Sequence, residues 1–172
     1  TEVIPYRVSG DNELTVFIHE GVPRGIINAV PRHGRELDGK RWSGHMAEAI
    51  AIPSEKLQGV IGGELKETVK FARDYLGLKP AIESRVEPGA SYYPAPDSID
   101  EMIKTCYLRV TEHEGPIEPK VVMEDISGFT SVGRIHEISA QKILDAIAVG
   151  LIPNARLELQ ITALFDRLGI EA

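Results

Sequence analysis

Cysteine is almost absent from these 172 residues; Cys106 stands alone, so no disulfide can form within the chain. Cys106 lies inside the alternating run EMIKTCYLRV with no His near it in a nucleophile motif, and it reads as a small packed residue. Positive charge is scarce as well. The 19 Lys and Arg face 26 Asp and Glu, a net charge of −7, which argues against nucleic acid or an anionic membrane as partner. Apolar runs long enough to span a bilayer are missing. The opening TEVIPYRVSGDNE lacks the apolar core of a signal peptide, so a soluble, cytoplasmic protein is the expectation. Repeats and low-complexity stretches are absent too. What is present, 42% apolar and 26% charged residues, is ordinary globular composition, and the length suits one domain over residues 1–172.

Periodicity organises the chain. EVIPYRV and ELTVFIH alternate like strands across the turn residues SGDN, which predicts an N-terminal β-hairpin. GIINAV is a third short strand, PRHGRELDGKRWSGH an exposed loop, and MAEAIAI a further strand. In GGELKETVKFARDYLGL, Leu65, Val69, Ala72 and Leu76 recur at steps of four, three and four, the buried stripe of a helix over about 64–76, with Gly77 as its C-terminal cap. AIESRV and MIKTCYLRV read as strands joined by the loop EPGASYYPAPDSIDE, and KVVM as a short strand after TEHEGPIEP. Two helices close the chain, SAQKILDAIAVG from a cap at Ser139 and NARLELQITALFDRLG from Asn154 to Gly169. Strands, helix, strands and two helices make an α/β (α+β) domain in which helices cover a mixed sheet.

Several groups could carry chemistry. Glu64, Glu67 and Asp74 share one helix face with Lys70 among them, which is either a solvated face with local ion pairs or the remnant of a metal or ligand site. Arg24, Arg32, Arg35, Lys40 and Arg41 crowd one segment of an acidic protein, and guanidinium groups match phosphate oxygens in pairs. Trp42 can stack on a base or sugar or pack structurally, and His45 is a candidate acid–base group. Tyr92, Tyr93, Pro94, Pro96, Asp100 and Glu101 form a shaped wall or a rigid turn.

Three segments together resemble the Nudix superfamily, in particular its ADP-ribose and nucleotide-sugar pyrophosphatases. They are EAIAIPSE with KETVKFARDYLGL, then EPGASYYPAPDSIDEMIKTCYLRV, then ILDAIAVGLIPNARLELQITALFDRLG, in the family's order over roughly residues 45 to 170. The resemblance implies a Nudix-like α/β/α sandwich, a Mg²⁺ or Mn²⁺ site on the first helix, a homodimer, and a nucleotide or phosphosugar as small-molecule partner. The family signature is G-x5-E-x7-R-E-U-x-E-E-x-G-U, with U apolar. Anchored on Gly77 and Leu78, it puts Lys70 at the arginine, Phe71 at the adjacent glutamate, Asp74 and Tyr75 at the glutamate pair, and Gly62 at the earlier glutamate. One carboxylate of four remains. Phenylalanine offers no oxygen to a metal, and tyrosine is neutral near pH 7.

Three readings follow from this resemblance. The first is a binding protein whose hydrolase site has decayed. The second is a divergent pyrophosphatase that builds its metal site from Glu64, Glu67, Asp74 and the backbone of Ala51, with Asp74, Glu67 and Glu101 as catalytic candidates. Arg24, Arg32, Arg35, Arg41, Trp42 and Tyr93 would bind substrate in either case. The third is a structural or interaction protein on the same scaffold.

Overall fold

The computed structural model describes residues 2–21, 36–37, 40–41, 46–51, 68–70, 72–73, 78–79, 86–94, 97, 102–111, 123–124, 130–131 and 134–171. The chain opens with β1 (Glu2–Val8) and β2 (Leu14–Gly21), paired antiparallel from Tyr6↔Val16 to Val8↔Leu14. Their connection is held by Ser9, whose carbonyl accepts from Asn12 N at 3.1 Å and whose Oγ accepts from Glu13 N at 3.2 Å. Asn12 turns the corner with φ 60°, a conformation in which Asn is favoured over bulkier residues. The expected hairpin is therefore present.

Beyond Tyr6 the two strands part, and a third piece of chain enters the gap. It comprises β5 (Met46–Glu48) and β6 (Ile50–Ala51), and it follows the small ladder of β3 (Glu36–Leu37) with β4 (Lys40–Arg41). β5 pairs with β2 through His19↔Glu48, Glu20↔Ala47 and Gly21↔Met46; β6 pairs with β1 through Glu2↔Ala51 and Val3↔Ile50. Buried Ala49 is the step at which the chain passes from one neighbour to the other. On the far side of β1 lie β7 (Glu87–Tyr92) and β8 (Ile103–Arg109). β8 runs parallel to β1 from Glu2↔Thr105 to Tyr6↔Arg109, and β7 is antiparallel to β8. Among the described residues β9 (Met123–Glu124) pairs with β10 (Thr130–Ser131) alone, whereas β11 (Arg134–Ser139) pairs with β2 along its length. The main sheet is thus mixed and has the order β11-β2-β1-β8-β7.

Alternation along these strands divides the core in two. Ile4, Tyr6, Leu14, Val16, Ile18 and Tyr107 meet the helices α1 (Ala140–Ala148) and α2 (Ala155–Leu168) on one face. Val3, Phe17, Ile50, Leu108, Val110 and Ile135 form the opposite cluster, together with Ala72, Leu78 and the flanking Val69. Residues 68–70 and 72–73 are helical, so helix packs on both sides of the sheet. On α2, Leu157, Ile161 and Leu164, spaced four and three apart, are fully buried, and Leu168 continues the stripe partly buried. Asn154 Oδ1 accepts from Arg156 N and Leu157 N, each at 3.2 Å, and its Nδ2 donates to Ala47 O at 2.8 Å. One side chain both caps α2 and fixes it to β5. Gly169 ends the helix with φ 65°, the left-handed cap.

Four expectations need correction. PRHGRELDGKRWSGH is not simply a loop, because Glu36–Leu37 and Lys40–Arg41 pair within it. EPGASYYPAPDSIDE begins with a strand rather than a loop. β7 tolerates Pro88 and Gly89 because it is the end strand of the sheet path and its ladder to β8 shifts register between Pro88 and Ser91. Ser139 stands before α1 but makes no side-chain cap bond. Cys106, expected as a small buried residue, is partly buried and packs against the cluster of Val3 and Phe17. GIINAV and residues 81–85 of AIESRV lie outside the described residues.

Gly89 shows how closely the sheet packs there. A Cβ at this position would lie 2.8 Å from Tyr107 Cε2 and 3.1 Å from the Thr105 carbonyl oxygen. Gly89→Ala is expected to cost about 1–2 kcal/mol by forcing ring and strand apart. A chemical-denaturation midpoint equal to that of the parent would refute this.

Candidate functional site

One end of the sheet gathers two of the residues singled out by sequence. Ala51 lies opposite Glu2 and Glu2 opposite Thr105, and further along β8 Lys104 and Ile103 lie opposite Ser91 and Tyr92 of β7. Three interstrand steps separate Ala51 from Tyr92, about 14 Å across the strands, and Tyr92 lies two residues further along them. Just beyond the Tyr92–Ile103 pair, Tyr93 is 52% exposed and Met102 47% exposed.

Beneath this rim, between the sheet and α2, is a polar cluster that no sequence spacing announces. Glu2 follows the inward alternation of Ile4 and Tyr6, and Gln160 falls on the buried face of α2 between Leu157 and Ile161. Arg156 Nη1 donates to Glu2 Oε1 at 2.8 Å, and Gln160 Nε2 donates to Glu2 Oε2 at 2.5 Å. The carboxylate accepts only, which orients the amide with its NH₂ toward Glu2. Thr105 Oγ1 at 3.1 Å and Tyr92 Oη at 3.2 Å compete for the second amide proton. Tyr92 Oη in turn donates to Glu2 Oε2 at 3.4 Å, and Tyr107 Oη donates to the Gln160 carbonyl at 2.8 Å. Gln160 Oε1 is buried and has no hydrogen-bond partner among the described residues. The cluster joins β1, β7, β8 and α2 and fixes the direction in which Tyr92 enters the next loop.

Burial pushes the Tyr92 phenol up from 10.0 to about 12, with the negative charge of Glu2 adding to it. Burial also lifts Tyr107 to about 12, and burial followed by Glu87 raises Tyr6. In each case the folded value exceeds the unfolded one; Tyr92 and Tyr107 therefore contribute their full stability below pH 10 and lose it as pH rises through about 12. The urea midpoint is therefore expected to fall between about pH 10 and about pH 12, and Tyr92→Phe to reduce that fall. A midpoint that stays level across this window would contradict the assignment.

The remaining candidates are less gathered. Lys70 is exposed, and Ala72 two residues on is buried. Arg41 belongs to β4, opposite Glu36. Outside these candidates, Glu48 accepts from His19 Nδ1 across the β2–β5 pair at 3.2 Å. Glu64, Glu67, Asp74, Glu101, Arg24, Arg32, Arg35, Trp42 and His45 lie outside the described residues, as do Gly62, Phe71 and Tyr75. Among the described residues, no group of three or more His, Cys, Asp and Glu is placed to hold a metal ion, and no helix is long and apolar enough to cross a membrane.

Glu2 and Gln160 escaped the sequence reading as members of this polar cluster. For Glu2 and Gln160 the available signal was a polar residue at an inward position of a strand and of a helix stripe. The chain matches no protein-family model and no curated protein sequence.

Proposed function

We propose that the chain is a Nudix-like protein whose hydrolase site has decayed and that binds a nucleotide or phosphosugar without efficient hydrolysis. The observation that carries this reading is the substitution pattern on the first helix. Phe71, Tyr75 and Gly62 occupy three of the four carboxylate positions of the resembled signature, and Asp74 alone keeps an acid. Pyrophosphate hydrolysis of this kind depends on divalent metal to neutralise the bridging phosphates and to position the attacking water. A helix with one such carboxylate holds Mg²⁺ or Mn²⁺ poorly.

The fold supports the same reading. A mixed sheet with helix on both faces is compatible with an α/β/α sandwich, and Ala72 with Val69 turns the helical residues toward the sheet as the resembled catalytic helix would require. Ligand binding is supported by Ala51 and Tyr93 reaching one end of the sheet.

Titration calorimetry with ADP-ribose, with and without Mg²⁺, tests the proposal. Binding is expected to be largely independent of the metal, and AMP and ribose 5-phosphate are not expected to accumulate. Rapid Mg²⁺-dependent turnover that Asp74→Ala abolishes would overturn it and favour a divergent pyrophosphatase using Glu64, Glu67 and Asp74.

A further inference from the structure

We draw no further inference here: the strongest candidate, the cavity of about 360 Å³ between the β1–β2 turn, the start of α1 and the end of α2, offers only the carboxylates of Glu13 and Glu171 beside a helix N-terminus, and no second observation in the structure points to a ligand there.

Discussion

Phe17→Ala is expected to lower folding stability by about 3–5 kcal/mol. Phe17 is fully buried on β2, in the cluster that also contains Val3, Leu108, Ala72 and Leu78. Removing the ring deletes its transfer free energy and leaves a cavity that strands on both sides keep from collapsing. Against a typical total of about 5–15 kcal/mol, this is a large fraction. The same cavity would remove part of the surface against which the helical residues Val69 and Ala72 pack. Amide exchange there should therefore accelerate more than in α2, whose contacts lie on the other face. A urea midpoint shift equivalent to less than about 1 kcal/mol would show that the second cluster is not a tightly packed core.

The second large effect is expected at Glu2. Its carboxylate accepts from Arg156, Gln160 and Tyr92, and its side chain is only 15% exposed. Glu2→Ala leaves the buried Gln160 amide short of its shortest acceptor, at an expected cost of about 2–4 kcal/mol. Arg156 is 40% exposed and recovers solvation, so it contributes the smaller share. A double-mutant cycle separates the two. Coupling between Glu2→Ala and Gln160→Ala should exceed coupling between Glu2→Ala and Arg156→Ala. The reverse order would place the energy in the ion pair instead of the amide.

Local chemistry made part of this fold readable in the sequence. The hairpin was legible because alternation and turn residues agree over Glu2–Gly21, and α2 because its stripe, its Asn154 cap and its Gly169 stop all agree. β7 was hidden because Pro88 and Gly89 carry turn chemistry, which an end strand with a register shift absorbs. β11 was missed because only Ile135 and Ile138 stand out in RIHEIS. His136 and Glu137 point outward, to Glu20 and Arg7, and give the strand the look of a polar connection. The rim was half legible. Tyr93 advertised itself in an aromatic, Pro-rich stretch. The Glu2–Gln160 cluster depends on residues brought together from opposite ends of the sequence, and no local spacing encodes that.

The parallel pairing of β1 with β8 also sets the order in which this structure can assemble. Glu2 and Thr105 are about a hundred residues apart, so their pairing must close a long loop before any ladder bond returns energy. The β1–β2 hairpin, by contrast, closes across a short turn within microseconds. On a chain emerging from the ribosome, that hairpin would wait with one side of β1 open until β8 had been synthesised. Val3, Ile4 and Tyr6 would meanwhile lack the strand that later covers them. The central position of β1, which makes the finished sheet cohesive, is thus the point at which the nascent chain is most exposed to mispairing.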